Sequence, residues 1–166
     1  PAGKAYDKDL DRAIERLIDE IPQVKLDLEL TTTSLYEDEA EIIKKEWEEL
    51  GLKGFDECQK ATTVSDKSIC ENLKISVTIR ISNFPDTNNY QLMLIGQESL
   101  PDPDQYYLWH SEQSTNFSGY KNTRIDNLLE KGRQTFDQKE RKEIYQEFQQ
   151  FFLEDAPVIF IKHLYT

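Results

Sequence analysis

The chain has 166 residues, 31% of them charged, and a formal net charge of −12. A domain of this size buries a real core, while so negative a surface repels phosphate backbones and anionic lipid, which argues against nucleic-acid binding and against docking on a charged membrane. No apolar run is long enough to span a bilayer, and no charged-then-apolar leader opens the chain, so any signal peptide or lipid-anchor cysteine would lie outside this sequence.

In chain order, Asp7 is expected to cap a first helix carrying Leu10, Ile14, Leu17, Ile18 and Ile21, with Asp9 and Asp11 in its first turn and Pro22 as its stop. Val24 to Leu30 alternates apolar and charged residues, the pattern of a half-buried strand. Ser34 and Glu37 form a capping box for a second helix. Tyr36, Ala40, Ile43, Trp47 and Leu50 share one of its faces and Gly51 ends it, which makes Trp47 a core residue. Residues 51–74 are polar and irregular and read as an insertion or excursion. They hold both cysteines, Cys58 and Cys70. A disulfide closing this short loop is worth roughly 3 kcal/mol in the chain-entropy model. With little apolar content to hold the segment otherwise, the reading favours an extracytoplasmic disulfide over two free thiols. A zinc site would need further ligands, and neither His110 nor His163 is near in sequence.

Lys74 to Ser82 restores alternation, with Ile75, Val77, Ile79 and Ile81 on one face. The turn-rich link Asn83–Asn89 follows, and then Gln91–Ile95, a short apolar run ending at Gly96 that suits a strand buried on both faces. That link is short for a parallel crossover, so the flanking strands either pair antiparallel or lie apart in the sheet. Asn122 or Thr123 then caps a helix bearing Ile125, Leu128 and Leu129. Asp137 and Glu140 are placed like a capping box for a last helix with Ile144, Tyr145, Phe148, Phe151 and Phe152 on its apolar face. After Pro157, Val158–Ile161 is a further run suited to a buried strand. The sum is one α/β domain over residues 1–166, helices packed on a mostly buried sheet.

The stretch from Gln91 to Tyr120 is where function is expected. Tyr106, Tyr107, Trp109 and Phe117 lie among Gln97, Glu98, Ser99, Asn116 and Ser118, the mixture of a binding wall, and in open α/β sheets ligands sit beyond strand ends. Polar residues interrupt the rings without a helical or strand period, so one or two of them should face a cleft and the rest pack inward. Glu98, Asp102 and Asp104 sit in a loop stiffened by two prolines without EF-hand spacing, which favours a capped turn over a calcium or magnesium site. His110 lines a pocket or caps a turn, the structural role leading. Neither a Gly-x-Ser-x-Gly elbow, nor His-Glu-x-x-His, nor a phosphate-cradling glycine loop occurs. No catalytic residue, metal or cofactor is therefore assigned. The rival reading is a small α/β hydrolytic enzyme using the acidic residues of the 96–110 loop, Glu98 with Asp102 or His110 as acid and base. The charged helix faces, such as Glu41, Lys44, Lys45, Glu48 and Glu49, read as solvated surface.

Pro101-Asp102-Pro103, Phe117-Ser118-Gly119-Tyr120 and Glu154-Asp155-Ala156-Pro157, in that order, resemble the extracytoplasmic solute-binding proteins of peptide and nickel ABC transporters, family 5. The opening Ala5-Tyr6-Asp7, the strand at Val24–Leu30 and the helix ending Glu49-Leu50-Gly51 resemble the start of that family's second lobe. The likeness covers nearly the whole chain apart from Gly51–Lys74. It implies a periplasmic-binding-protein-like (type II) lobe, a mixed sheet flanked by helices, that closes with the first lobe of the same receptor around a peptide or other small solute and delivers it to an ABC permease. Membrane attachment is then only through a lipid anchor outside this sequence. Ligand contacts fall to Gln97, Glu98, Ser99, Tyr106, Tyr107, Trp109, Asn116 and Phe117. Gly96, Ser99 and Leu100 stand where peptide-binding members carry tryptophan, aspartate and an aromatic residue, so an oligopeptide is not specifically implied.

Overall fold

The computed structural model of the protein describes residues 9–97 and 102–161, and they form two compact units divided after Gln97. The first unit contains α1 (Leu10–Asp19), β1 (Asp27–Thr32), α2 (Glu37–Lys60), β2 (Ser76–Ile81) and β3 (Leu92–Leu94). The second contains a single helical turn, α3 (Tyr106–Trp109), followed by α4 (Thr123–Gln134) and α5 (Gln138–Asp155).

α1 is capped by Asp9, whose carboxylate accepts from the Arg12 N–H at 3.0 Å; the expected cap, Asp7, lies outside the described residues. The strand expected at Val24–Leu30 begins three residues later and runs on through Thr32. Its pairing partner decides this: β2 meets it from Asp27 onward, and Val24 is left 71% exposed. At the other end the fully buried Thr32 donates its hydroxyl to the Leu94 carbonyl at 2.8 Å, which keeps a polar residue in the sheet interior.

The sheet has the order β2-β1-β3, and both neighbours of β1 run parallel to it, so the mixed sheet expected from the sequence is parallel among the described residues. The short 83–89 link joins strands that lie apart, on opposite sides of β1. The register explains how so few residues suffice. β2 leaves the sheet at Ile81, level with Thr32, and β3 enters at Leu92, level with Leu30. The link therefore climbs back only about 7 Å while crossing about 10 Å, well within its reach. β3 is half-buried rather than sealed on both faces. Just before it, the Gln91 side chain accepts from the Glu29 N–H at 2.6 Å, standing in for one more rung of the ladder.

α2 lays Ala40, Ile43 and Trp47 against Leu28, Leu30, Val77, Ile79, Leu92 and Leu94, the expected face on the expected sheet. Its ends differ from expectation. Residues Ser34–Tyr36 form a 3-10 turn that feeds directly into the helix, and neither Thr33 nor Tyr36 makes a side-chain cap, so the Ser34–Glu37 box does not form. Glu37, Asp38 and Glu39 instead place negative charge at the positive end of the helix dipole. Nor does Gly51 stop the helix, which continues to Lys60. Gly51 is buried because the helix passes close to the chain entering β2: a Cβ there would lie 2.5 Å from the Ile75 nitrogen and 2.7 Å from the Leu73 oxygen. The supposed irregular excursion is thus two more turns of helix and a 3-10 segment, Lys67–Leu73. A disulfide between Cys58 and Cys70 joins them, and both sulfurs are sealed with Leu73 under Leu17, Ile18, Ile21, Phe55 and Val64. The Lys67 ammonium caps the helix end, donating to the carbonyls of Cys58 and Ala61.

In the second unit α4 and α5 pack Ile125, Leu128 and Leu129 against Ile144, Tyr145, Phe148 and Phe152. Asn122 caps α4 and Asp137 caps α5 through the Glu140 N–H at 2.8 Å, as their placement predicted. The run Val158–Ile161 is not a strand. Val158 leans on the phenylalanine cluster while Ile159 and Phe160 stay 72% and 67% exposed. A strand needs a hydrogen-bonding neighbour, and the described residues of this unit are helices and loops.

Two stability measurements check this account. Helix propensity alone would make Gly51→Ala a gain of about 1 kcal/mol; the backbone overlap instead predicts a loss of roughly 1–3 kcal/mol in urea denaturation. Replacing Cys58 and Cys70 together by alanine is expected to cost about 3 kcal/mol, and dithiothreitol should reach the buried bond only as the unit unfolds.

Candidate functional site

The loop that opens the second unit is built from two successive aspartate turns. Asp102 accepts from the Asp104 N–H at 2.8 Å, and Asp104 accepts from the Tyr106 N–H at 3.0 Å, which starts α3. Each carboxylate is also tied to a helix: Asp102 to Arg141 of α5 at 2.7 Å, Asp104 to Arg133 of α4 at 3.1 Å. The Arg141 guanidinium, helped by the Asp104 N–H, holds the Asp102 carboxyl below the usual carboxylate range. These are the bonds of a capped turn, and a carboxylate held ionised in this way is poorly placed to act as a general acid.

The four rings of the sequence divide as their neighbours dictate. Trp109 turns inward and meets Phe152 with 4.6 Å between ring centroids. Tyr106 is half-buried and stacks on His110 at 4.3 Å. Tyr107 is 59% exposed and Phe117 43% exposed. The guanidinium of Arg133 lies over both tyrosines, 4.5 Å from the Tyr106 centroid and 5.1 Å from that of Tyr107. Hydrogen bonding to Tyr107, and then the Asp104 charge, push the Arg133 pKa further up, so the cation is permanent. Beside it opens a depression of about 380 Å³ lined by Tyr106, Glu130, Arg133 and Gln134.

His110 is buried behind this wall. Its Nδ1 accepts from the Glu112 N–H at 3.3 Å and its Nε2 lies 3.2 Å from the Glu130 carboxylate, so it caps a turn instead of lining an open pocket. The Asn116 amide donates to the carbonyls of Tyr120 at 2.7 Å and His110 at 3.4 Å, and its oxygen accepts from the Ser118 hydroxyl at 2.9 Å. Asn116 therefore shapes the loop that carries Phe117. The loop turns at Gly119, where φ is +64°. It is fastened by Asp155, which accepts from the Tyr120 hydroxyl at 2.5 Å and from the Asn122 amide at 2.6 Å. Those two donors, Tyr120 first, lower the Asp155 pKa, while burial raises that of Tyr120.

Of the remaining predicted contacts, Gln97 is exposed where the first unit ends, and Glu98 and Ser99 lie outside the described residues, as does His163. Two residues near these places were not singled out from the sequence. Arg133 reads there as one more charge on a solvated helix face. Tyr36 reads as part of the apolar stripe of α2, but it stands half-buried ahead of the helix with its hydroxyl against Gly96. Among the described residues no group of three or more His, Cys, Asp and Glu side chains is placed to hold a metal ion, and no helix is long and apolar enough to cross a membrane.

No family model matches the chain. Over 80 residues it is 30% identical to the oligopeptide-binding protein AppA of Bacillus subtilis (strain 168), a match covering 46% of this chain and 15% of that protein. Among solved structures it is similar to AppA of Bacillus subtilis in complex with a nonapeptide, with a TM-score of 0.64 and 19% identity over 95% of this chain and 32% of that one. It is also similar to the periplasmic binding protein DppA of Helicobacter pylori in complex with the peptide STSA, with a TM-score of 0.69 and 23% identity over 94% of this chain and 29% of that one. NikZ of Campylobacter jejuni in complex with Ni(L-His) gives a TM-score of 0.65 and 21% identity over 93% and 32% of the two chains. The chain thus corresponds to 29–32% of the length of these proteins and has the α/β fold of one type II periplasmic-binding-protein lobe.

The lowered carboxyl values fix the sign of an acid effect. A group whose pKa falls on folding contributes stability that is present above its unfolded value and lost as pH drops through the folded one. Both Asp102 and Asp155 behave so. Urea midpoints should hold from neutral pH down to about 4, the ordinary carboxylate range, and fall below it. Asp155→Asn should be less stable at neutral pH and lose less on acidification.

Proposed function

We propose, for a chain related to the extracytoplasmic solute-binding proteins of peptide and nickel transporters (family 5), that it is the second lobe of such a receptor. It captures a peptide-like or other small solute and passes it to an ABC permease. The observation that carries this reading is Tyr107: a large ring 59% open to solvent, steadied by the Arg133 guanidinium lying over it, on a loop whose other aromatic residues are packed or half-packed. A ring kept rigid and uncovered offers apolar area at little cost in ordering, as binding walls do. Phe117, 43% exposed on the neighbouring loop, adds to it, with Tyr106 at the edge and Trp109 supporting from behind.

The named relatives are solved with a nonapeptide, a tetrapeptide and a nickel chelate, and peptides and small chelates are accordingly the first solutes to try. Since the chain spans about a third of those proteins, capture by closure of two lobes leaves it with only part of the contact area, and binding to the chain alone should be weak. The Cys58–Cys70 disulfide supports a place outside the reducing cytosol.

The test is a titration of the isotopically labelled chain with millimolar Ser-Thr-Ser-Ala and, separately, nickel–L-histidine, followed by NMR. Shifts at Tyr107 and Phe117 are expected, and Tyr107→Ala should weaken the bound probe by about tenfold, or roughly 1.4 kcal/mol. Hydrolysis of the peptide that Asp102→Asn abolishes would replace this reading by an enzymatic one.

A further inference from the structure

Glu130 and Arg133 stand at positions i and i+3 of α4, a spacing at which opposite charges on a helix ordinarily pair with each other. Here each has a different partner. The Nε of Arg133 pairs with Asp104 at 3.1 Å, and Oε1 of Glu130 lies 3.2 Å from His110 Nε2. Because His110 Nδ1 accepts from the Glu112 N–H, Nε2 is the nitrogen that carries the proton, and it donates to Glu130. Both partners are packed on one ring: Tyr106 stacks on His110 at 4.3 Å and carries the Arg133 guanidinium at 4.5 Å. The loop thus draws an acid and a base of one helix apart and fixes each separately.

Both charges line the depression of about 380 Å³, together with Tyr106 and Gln134, and that volume is at the small end of the range for small-molecule sites. A guest there meets a carboxylate engaged by His110 through one oxygen and a guanidinium with more N–H donors than Asp104 and Tyr107 can use. The Gln134 amide both donates and accepts. A lone anion drawn to Arg133 is repelled by Glu130 and Asp104, and a lone cation drawn to Glu130 is repelled by Arg133. A guest that carries both charges close together is attracted at each end.

We infer that this depression takes the zwitterionic head of a free α-amino acid, its ammonium against Glu130 and its carboxylate against Arg133, with the Gln134 amide beside them. The amino acid's side chain then lies toward the exposed ring of Tyr107, which the same guanidinium covers at 5.1 Å. This rests on the solute-binding reading above and names the class of small solute that the site holds by both charges. In an extended tetrapeptide the terminal charges lie roughly 10 Å or more apart, so a peptide engages Glu130 or Arg133 but not both.

The experiment is shift mapping on the full chain with millimolar L-leucine, N-acetyl-L-leucine and L-leucinamide, the last two lacking one charge each, repeated with Glu130→Gln. L-Leucine is expected to move the signals of Glu130, Arg133 and Gln134, and each single-charge analogue to bind about tenfold more weakly. Glu130→Gln, which can still accept from His110, should weaken L-leucine by about tenfold and leave N-acetyl-L-leucine, which has no ammonium, unchanged. Should that variant not fold, the three ligands on the unaltered chain decide alone. Equal affinity for the three ligands, or L-leucine binding that Glu130→Gln leaves intact, would overturn the inference. So would L-leucine leaving the depression unmoved while Ser-Thr-Ser-Ala shifts Tyr107 and Phe117, a result under which the functional reading stands. No shift with L-leucine, the tetrapeptide or nickel–L-histidine would overturn both.

Discussion

β1 is hydrogen-bonded on both sides by strands running its own way, and the organisation of the first unit follows from that pairing. Parallel strands cannot be joined by a tight turn, so each return path must travel the length of the sheet or avoid doing so. From β1 to β2 the path is α2, which covers one face of the sheet as it goes. From β2 to β3 the path is shortened instead, by making β3 only three residues long and pairing it with the last residues of β1. Both solutions deliver their following strands to the same end of the sheet. The outer edge left on β2 is partly closed by Glu48 of α2, whose carboxylate accepts from the Val77 N–H at 3.0 Å.

The second unit works by a different constraint. Its loops have almost no core of their own and are shaped by helix side chains that reach into them: Arg133 and Arg141 onto Asp104 and Asp102, Asp155 onto Tyr120 and Asn122. Exposed ion pairs are individually weak, often under about 1 kcal/mol. Here each one shares its carboxylate with a backbone turn or a second donor, so ordering the side chain and ordering the loop are one event. That is how an exposed ring such as Tyr107 keeps a defined position without being buried.

Most of this fold was legible in the sequence because burial and capping leave local marks. The apolar stripes of α4 and α5, the Asn122 and Asp137 caps, and the face of α2 that meets the sheet all follow from spacing. What was not legible depended on partners distant in the chain. Gly51 has the composition of a helix stop, and only the nearness of Ile75 and Leu73 shows it to be a point of close approach. Val158–Ile161 has the composition of a strand but no strand beside it among the described residues of its own unit. At the candidate site the aromatic residues announced themselves, but which would be open was settled largely by Phe152 and Arg133, which lie far along the chain from Trp109, Tyr106 and Tyr107. The packing of Tyr36 on Gly96 and of Arg133 over Tyr106 and Tyr107 was hidden for the same reason.

The brevity of β3 carries a dynamic consequence. Three residues paired on one side among the described residues, reinforced by the Gln91 amide and the Thr32 hydroxyl, make the least tethered rung of the sheet. Local opening is governed by how few bonds must break together, so amide exchange in this strand should be decoupled from that of β1 and β2. The segment running on to Gly96 and Gln97 can then shift while the helix-covered part of the sheet stays shut, which puts compliance beside the strand ends and rigidity underneath them.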